Sequence, residues 1–371
     1  MKKLLVVGHT YIAPINQDKW IVFAELYPEV EVTVLFPHTW PDTMFTLKGM
    51  ASQPRANCSF IPFKAFFIGN EVRYGYYPFA LCKLLKKFQP DCIYVEQGDN
   101  AFSYFQIITL AKIFVPRARC AFFTWVNWEH QWSRKYRLLW SPIEKFNRYF
   151  SSGAVAGNHD AKELLLKKGF KREILVAPQL GVAVSDVVIK KQNTKKIFFV
   201  GRLTAEKGVF HLLHSFLNLS KDFPLYELHF VGSGPCESLL KEIAQKNQRV
   251  FFHGSVGHYQ VFEYLSEAAI FVLPSYDIPT WREQFGHVLI EAMALKVPVI
   301  GTDGGEIAHV IGDAGLVARQ NDVDSLEHCL RTLMADEKLQ EKFGQMGYNR
   351  VQSNFSHQMI AQKTYEFLKQ L

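Results

Sequence analysis

The chain has 371 residues, and at roughly 100–200 residues per domain this length predicts two domains. Hydrophobic residues make up 48% and charged residues 21%, which excludes an intrinsically disordered or fibrous protein. The net charge of +7 is too small to indicate nucleic-acid binding. The positive excess lies in residues 1–178, which hold 23 basic and 14 acidic residues, so this half is the one expected to face an anionic partner.

The first half of the chain alternates between strand-like and helix-like segments. Short apolar runs typical of buried parallel strands lie at Leu4–Gly8, Val32–Phe36, Cys92–Val95, Cys120–Trp125 and Ala154–Ala156. Helix-like segments lie between them, for example at Tyr77–Phe88 and Ala161–Lys168. Strands that alternate with helices predict a parallel α/β sheet.

The alternation restarts after the interruption at Ala177–Lys195, which contains Pro178 and the polar stretch KKQNTKK. New strands are predicted at Lys196–Val200, Leu228–Val231, Val250–Phe252, Ile270–Leu273 and Val297–Ile300. The simplest interpretation is two Rossmann-like domains, residues 1–178 and 179–355, followed by a helix within 356–371 that returns to the first domain. A shared ligand is expected in the cleft between the two domains, at the carboxyl ends of the strands.

Targeting signals and cysteine usage indicate the compartment. The apolar run in MKKLLVVGHT is four residues long, below the roughly 7–15 of a signal peptide, and no window approaches the ~20 apolar residues of a membrane-spanning helix. The six cysteines are scattered, without disulfide-framework or zinc-site spacing. We therefore expect a cytoplasmic protein with free thiols, whose membrane contact is at most peripheral, at the inner face of the plasma membrane.

The most informative stretch is PSYDIPTWREQFGHVLIEAMALKVPVIGTDGGE, residues 274–306. Glu283 precedes an apolar run, Val288–Ala294, that predicts a buried helix containing Glu291. Two carboxylates, one at a helix mouth and one about two turns in, can hold two ends of one polar ligand. Gly286 lets a ligand approach the backbone, and the N–H groups at a helix start suit phosphate. The alternative is an ordinary N-terminal acid and a buried, hydrogen-bonded glutamate.

A second stretch, FVGRLTAEKG, follows a predicted strand and places Arg202 and Lys207 on its exit loop. An arginine fork and a lysine point charge at the carboxyl end of a strand suit a pyrophosphate. The alternative is a solvated basic turn at a helix start.

Two further patterns do not support other chemistries. In VGSGPCE, Cys236 and Glu237 stand where a dinucleotide fingerprint needs its last glycine, so a nicotinamide enzyme is disfavoured. Asp322 and Asp324 resemble a metal-binding acid pair, but they precede SLEHCLRTLM, so a helix N-cap is the preferred interpretation.

The motifs GRLTAEKG, VGSGP, FHGSV, VLPS, EQFGHVLIEAMA and GTDGGE, in this order and spacing, resemble the family 4 glycosyltransferases of the GT-B fold. The resemblance is dense over about residues 196–320 and looser elsewhere. It implies two Rossmann-like domains facing each other across a cleft. It also implies transfer of a sugar from a nucleotide diphosphate sugar with retention of anomeric configuration, without a cofactor and without a metal.

The resemblance implies roles at matching positions. Arg202 and Lys207 would hold the diphosphate and stabilise the leaving group, and Glu283 would hydrogen-bond the donor sugar, so these three are the expected catalytic residues. Glu291 would bind the ribose hydroxyls. Further donor contacts are expected at Gly8, Val256, Gln284, Phe285, Gly286 and His287.

The first half departs from the family pattern. Many members carry a histidine after the strand that matches Cys120–Thr124, but here the sequence reads FFTWVNWEH. Trp125 and Asn127 occupy that neighbourhood, and His130 lies slightly beyond. Glu96 follows another predicted strand. These four residues are expected to contact the acceptor or the donor sugar.

Residues 128–150 combine basic and aromatic side chains. The basic ones are Arg134, Lys135, Arg137, Lys145, Arg148 and the borderline His130, and a second basic cluster lies at Lys83, Lys86 and Lys87. This composition predicts peripheral contact with an anionic membrane. The alternative is a packed helix with its aromatic residues in the core and its charges in water.

Taken with the residues above, the resemblance implies a metal-independent, retaining glycosyltransferase in polysaccharide biosynthesis. The expected donor is a UDP-sugar such as UDP-glucose, and the expected acceptor is a saccharide or lipid-linked saccharide; nucleic acid is not an expected partner. Two alternatives stay open: a non-catalytic scaffold that binds sugar nucleotides, and another two-Rossmann enzyme such as an epimerase or a phosphorylase.

Overall fold

The computed structural model describes residues 1–41, 46–48, 57–129, 133–184 and 194–371. The chain divides into two compact units: unit 1 comprises Met1–Gly181 and His357–Leu371, and unit 2 comprises Val182–Ser356. The sequence placed the joins slightly earlier, after residues 178 and 355. Each unit contains one parallel sheet with helices, so the predicted α/β class is found in both.

Unit 1 is built on a seven-stranded parallel sheet. Its strands are β1 Lys3–Val7, β2 Glu31–Pro37, β5 Cys58–Phe63, β8 Cys92–Val95, β9 Arg119–Thr124, β10 Gly153–Ala156 and β11 Ile174–Val176, and they lie in the order β11-β10-β9-β8-β1-β2-β5. Two short antiparallel pairs accompany the sheet: β3 Thr39–Pro41 with β4 Thr46–Lys48, and β6 Ala65–Phe66 with β7 Gly75–Tyr76. Its first five helices are α1 Asp18–Leu26, α2 Pro78–Phe88, α3 Phe102–Phe114, α4 Arg134–Phe150 and α5 His159–Lys167.

The strand order of unit 1 reverses between β1 and β8. From β1 the chain proceeds through β2 to β5 on one side, whereas β8 to β11 extend on the other. Ligands of open parallel sheets bind beyond the carboxyl ends of the strands at such a reversal. Gly8 follows β1 and Glu96 follows β8, so both lie at this point of unit 1.

Unit 2 repeats this plan with a six-stranded parallel sheet in the order β14-β13-β12-β15-β16-β17. Its strands are β12 Lys196–Val200, β13 Glu227–Val231, β14 Val250–Phe252, β15 Ile270–Leu273, β16 Val299–Thr302 and β17 Gly315–Ala318. Its helices are α6 Val209–Leu219, α7 Glu237–Ala244, α8 His258–Ser266, α9 His287–Ala294, α10 Ile307–Ile311, α11 Val323–Ala335 and α12 Glu337–Asn354. The order reverses between β12 and β15.

The last helix, α13 His357–Gln370, follows unit 2 in sequence but belongs to unit 1. It packs against α1, where the rings of Tyr27 and Tyr365 stack with centroids 3.7 Å apart and Phe23 lies edge-on to Tyr365 at 6.0 Å. Burial of apolar surface on both helices holds the C-terminal segment to unit 1.

Most predicted strands lie within a residue of the observed ones, but one is shifted and several observed strands were not predicted. The strand predicted at Val297–Ile300 runs from Val299 to Thr302, because Pro298 contributes only its carbonyl, to the N–H of Phe271. Strands β3 to β7, β11 and β17 were not predicted. Of these, β5, β11 and β17 lie at sheet edges and have exposed or partly exposed positions, and the others are only two or three residues long.

The sequence predicts neither a membrane-spanning helix nor a disulfide. In the part of the chain described here, no helix combines the length and the apolar character needed to cross a bilayer. All six cysteines are free thiols, as predicted.

Candidate functional site

The candidate site lies in unit 2, beyond the carboxyl ends of β12 and β15. The loop after β12 carries Arg202 and Lys207, and the loop after β15 leads through Glu283 to the start of α9. Because β12 and β15 are hydrogen-bonded neighbours on either side of the reversal in strand order, the two loops emerge side by side.

Lys207 and Glu283 meet directly. The Nζ of Lys207 donates to Oε2 of Glu283 at 2.6 Å, and it also lies 4.8 Å from the centre of the Trp281 ring. The two side chains are 20% and 10% exposed. The pair is therefore shielded from bulk water but accessible enough for a ligand to contact the ammonium group.

Two backbone contacts hold the loops together. The N–H of Tyr276 donates to the carbonyl of Glu206 at 2.9 Å. Gly208, with φ of 71°, lies so close to Pro274 that a Cβ would stand 1.9 Å from the proline carbonyl oxygen. Only glycine tolerates both the left-handed backbone and this approach, so Gly208 sets the position of Lys207 beside it.

Glu283 is held at both its carboxylate and its backbone. The hydroxyl of Ser275 donates to Oε2 of Glu283 at 3.1 Å, and the N–H of Glu306 donates to the carbonyl of Glu283 at 3.1 Å. A Cβ on Gly305 would lie 2.2 Å from that same carbonyl. The carboxylate of Glu283 is thus aimed by its neighbours before any ligand arrives.

Helix α9 begins directly after this carboxylate. Its N-cap, Gly286, has φ of 77° and ψ of 58°, a left-handed conformation that favours glycine. The first N–H groups of a helix have no intrahelical acceptor, and together with the helix dipole they attract an anion. The helix start on which the prediction of phosphate binding rests is thus found at Gly286 and His287.

Glu291 lies inside α9, as predicted, and is 6% exposed. Burial raises the pKa of its carboxyl group to about 7. The ring nitrogens of His258 and His287 both lie 3.9 Å from Oε1 of Glu291, beyond hydrogen-bond distance. The carboxyl group thus changes its ionisation near neutral pH.

The remaining predicted donor residues share this edge of unit 2 in different ways. Arg202 is exposed on the loop after β12. Val256 is half-buried on the loop after β14, immediately before Gly257, the N-cap of α8. Gln284 is half-buried, whereas the ring of Phe285 is buried and packs edge-on against Phe355 at 5.6 Å. The role predicted for Phe285 uses its backbone N–H group, so it does not need the ring to be exposed.

In unit 1 the predicted Glu96 is part of a buried network. Its Oε1 accepts from Nζ of Lys19 at 2.8 Å, and its Oε2 accepts from Nε2 of Gln179 at 2.9 Å and from the hydroxyl of Tyr11. The Glu96 side chain is 0% exposed. This environment favours a structural role for Glu96 over contact with a sugar. Gly8 lies beside it, since a Cβ there would stand 3.5 Å from that of Glu96.

Trp125 joins the same network, because its Nε1 donates to Oε1 of Gln179 at 3.1 Å. Its ring also occupies the space beside Gly157, where a Cβ would lie 2.0 Å from a ring carbon. Asn127 is 4% exposed. His130 lies outside the described residues.

Sequence reasoning missed several of these neighbours. Ser275 and Trp281 fall within the stretch already singled out, and the serine ends the VLPS motif, so that motif was the available signal. The contacts of Lys19 and Gln179 with Glu96 could not be predicted, since nothing in the sequence marks a lysine in the first turn of a helix as buried. Asp322 accepts from the N–H of Ser325 at 2.9 Å, which confirms the predicted N-cap.

Comparison with known proteins identifies the segment that carries this site. Residues 184–350 match the family model described as glycosyl transferases group 1. Over this segment, which is less than half of the chain, the sequence is similar to the group 1 glycosyl transferases. The family 4 resemblance drawn from the motifs is confirmed for this segment.

Two curated members of known biosynthetic systems align with this segment. The capsular polysaccharide biosynthesis glycosyltransferase CapM of Staphylococcus aureus is 33% identical over 171 residues, 44% of this chain and 43% of CapM. The putative teichuronic acid biosynthesis glycosyltransferase TuaC of Bacillus subtilis is 36% identical over 183 residues, 46% of this chain and 44% of TuaC. The aligned part thus spans less than half the length of these relatives.

Structural similarity extends over the entire chain. Anabaena HepE, solved in complex with UDP, matches with a TM-score of 0.70 at 16% identity, and the match covers 100% of both chains. At this identity the match establishes the fold alone. It confirms the predicted fold class of two Rossmann-like domains known as GT-B.

Proposed function

We propose that this protein is a group 1 glycosyl transferase that transfers a hexose from a nucleotide diphosphate sugar to a saccharide or lipid-linked saccharide acceptor in polysaccharide biosynthesis. The observation that carries the proposal is the Lys207–Glu283 pair beside the N-terminus of α9, at the reversal of strand order in unit 2. A cation, a carboxylate and a helix start within one small region match the phosphate and hydroxyl groups of such a donor.

In this proposal the cations and the carboxylate of the site have different roles. The ammonium group of Lys207, with the guanidinium of Arg202, stabilises the negative charge that develops on the diphosphate as the bond to the sugar breaks. Glu283 accepts hydrogen bonds from sugar hydroxyls and orients the reacting carbon. While the donor is absent, Glu283 keeps Lys207 aimed at the site.

Retention of configuration follows in this proposal from attack on the face that the leaving group occupies. The acceptor oxygen forms a bond to the anomeric carbon as the bond from that carbon to the diphosphate oxygen breaks. The proton of the acceptor hydroxyl moves to the departing diphosphate. The anomeric configuration of the first product, followed by proton NMR, tests this step, and an inverted product would contradict it.

We further propose that transfer needs no metal, because Arg202 and Lys207 supply the positive charge at the diphosphate that a divalent cation would otherwise provide. Activity should then be unchanged after extraction with EDTA and should not rise on addition of Mg²⁺ or Mn²⁺. A loss of activity that Mg²⁺ restores would contradict metal independence.

A UDP-sugar, with UDP-glucose first, is the donor to test. The support is the fold shared with HepE, which was solved in complex with UDP. A panel of UDP-, GDP- and ADP-sugars should raise the melting temperature for the correct donor, since ligand that binds the folded state stabilises it. Slow release of UDP should follow. Binding without release of UDP, even when acceptors are present, would favour a scaffold over an enzyme.

We also propose that the reaction takes place at the cytoplasmic face of an anionic membrane, with the surface of α4 in contact with lipid. The six free cysteines fit a reducing compartment. On α4, Leu138, Leu139 and Tyr149 are 77%, 67% and 77% exposed, close in sequence to Arg134 and Lys145. Apolar side chains that point to solvent beside cations suit a membrane interface.

Sedimentation with vesicles tests this contact. The double variant Leu138→Ser/Leu139→Ser should bind vesicles containing phosphatidylglycerol less than the parent protein does. The matched control is Leu225→Ser/Leu239→Ser in unit 2, where the same exposed residue type should not matter. Equal binding by all three proteins, or no binding by the parent, would contradict the membrane proposal.

A further inference from the structure

A basic cavity lies in unit 1 at the edge of the sheet opposite Gly8 and Glu96. Its volume is about 950 Å³, and it lies where α3 and α4 end and where the chain enters β10 and β11. The amino ends of the strands form this edge, whereas Gly8 and Glu96 follow the carboxyl ends. A six-residue strand such as β9 spans about 20 Å. The cavity is therefore separate from the carboxyl-end site at the reversal of strand order between β1 and β8.

The lining of the cavity is strongly cationic. Its charged side chains are all basic: Lys112, Lys145, Arg148, Lys168, Lys171 and Arg172. Ser151 and Ser152 add polar groups, and Phe150 and Phe170 form part of the wall. Six positive side chains around one concave surface create a field that attracts anions.

Two of the six cations, Arg148 and Lys168, form ion pairs with carboxylates of unit 1. Nη1 of Arg148 lies 2.5 Å from Oδ2 of Asp99, and Nζ of Lys168 lies 3.3 Å from the same oxygen. Glu144 lies 3.5 Å from Arg148 and 3.8 Å from Lys168. These two cations belong to a four-residue network and contribute little net charge to a ligand.

Helix dipoles explain two of the cations in part. Lys112 and Arg148 lie in the last turns of α3 and α4, where a positive charge stabilises a helix. Lys171 and Arg172, in contrast, are exposed in the connection between α5 and β11, four and five residues after α5 ends at Lys167 and so beyond the last turn, where the helix dipole acts. Lys145 is exposed one turn before the end of α4. Neither the network nor the dipoles account for these three.

We propose that the cavity binds a polyvalent anion with two or more phosphate groups, held mainly by Lys145, Lys171 and Arg172. The guanidinium of Arg172 offers a fork for one phosphate, and the two lysines offer point charges for a second. The volume lies within the 300–1,000 Å³ typical of small-molecule sites. This site is separate from the donor site of unit 2, so it does not depend on the proposed transfer reaction.

Titration calorimetry with inorganic pyrophosphate, in metal-free buffer at low ionic strength, tests the site. The probe is also expected to bind the donor site, so all titrations use the Lys207→Met background. Lys171→Glu/Arg172→Glu should weaken pyrophosphate binding at least about tenfold, because two charge-assisted contacts become repulsive. Lys338→Glu/Lys342→Glu on α12 makes the same charge change on exposed lysines of unit 2 and should leave binding unchanged.

Two arms distinguish a soluble anion from a lipid headgroup. If the anion is carried by lipid, pyrophosphate should displace the protein from vesicles that contain cardiolipin, whose headgroup carries two phosphates, and Lys171→Glu/Arg172→Glu should reduce sedimentation. If it is soluble, pyrophosphate binds and vesicle sedimentation does not respond to this variant. Equal pyrophosphate affinity in the parent background and in both double variants, or no binding in the parent background, would overturn the proposal. UDP release by Lys171→Glu/Arg172→Glu, measured separately, should equal that of wild type.

Discussion

Each unit places a lysine–glutamate pair at the reversal of its strand order, but the two pairs differ in exposure. In unit 1 the side chains of Lys19 and Glu96 are 1% and 0% exposed, and in unit 2 those of Lys207 and Glu283 are 20% and 10% exposed. Glu96 accepts from Lys19, Gln179 and Tyr11, so protein groups occupy both of its oxygens.

The difference separates a structural pair from a pair suited to a ligand. A charge taken fully out of water must keep its partners, because an unpaired buried charge costs several kcal/mol. A partly exposed pair can exchange one partner for a phosphate or a hydroxyl at much lower cost. The same two residue types, at equivalent places in two similar sheets, therefore serve stability in unit 1 and are proposed to serve chemistry in unit 2.

Removing the buried lysine should have the largest effect on stability. Lys19→Met leaves the carboxylate of Glu96 buried without its cation, and we expect a loss of about 3–5 kcal/mol in the free energy of unfolding. Denaturant unfolding measures it. Lys19→Met/Glu96→Gln removes both charges and should recover a large part of the loss. Equal stability of Lys19→Met and wild type would contradict the structural role assigned to the Lys19–Glu96 pair.

The matching change in unit 2 should spare stability and remove activity. Lys207→Met should lower the rate of UDP release about 100-fold or more, since it removes a cation from the leaving group. Its free energy of unfolding should fall by no more than about 1 kcal/mol, because the pair is partly solvated. Parallel kinetics and denaturant titrations check both values. Full activity in this variant would contradict the role proposed for Lys207.

Gly208 offers a test of how Lys207 is positioned. Gly208→Ala puts a Cβ where the carbonyl of Pro274 stands and strains a left-handed backbone, at a cost of about 1–3 kcal/mol. Because the two loops must separate, activity should fall together with stability. Gly169→Ala provides the control, since Gly169 also has positive φ but its Cβ would meet nothing within 4 Å. If Gly208→Ala lost stability but kept full activity, the glycine would not position Lys207.

Glu291 should give the effect that depends most on pH, and the smallest effect of the four at pH 5. Burial raises the pKa of its carboxyl group in the folded protein from 4.5 to about 7, so its stabilising contribution is complete below about pH 4.5 and is lost as pH rises through 7. Glu291→Gln should therefore be more stable than wild type above pH 8, by up to about 3 kcal/mol, with the advantage shrinking towards pH 5. Melting curves across this range measure it. A difference independent of pH would contradict the raised pKa.

Strand positions could be predicted because most strands of a parallel sheet are buried on both faces. The run Ile270–Leu273 is entirely apolar and fully buried. The stretch that follows it, which contains Glu283 and Gly286, indicated where the candidate site begins. In contrast, β5 contains Pro62 and exposed positions at the edge of the sheet, so its sequence lacks the pattern. Hydrophobic patterning reports burial, and it fails where a strand is only half covered.

The candidate site could be predicted for residues near recognisable motifs, and less well elsewhere. Glu283 and Lys207 were expected to bind one donor, and their hydrogen bond places them together. Glu96 was expected to contact a sugar, but its partners Lys19 and Gln179 are 77 and 83 residues away in sequence. No local pattern encodes such a contact, because it exists only once the sheet has formed.

The return of α13 to unit 1 has a consequence for the synthesis of the chain. Unit 1 is assembled from two stretches, and the ribosome makes all of Val182–Ser356 between them. At about 5–20 residues per second, this interval lasts roughly ten to thirty-five seconds. During this time Phe23 on α1 and Tyr27 directly after it lack Tyr365, the residue against which both rings pack. A nascent first unit is thus exposed to chaperones and proteases until the final helix emerges.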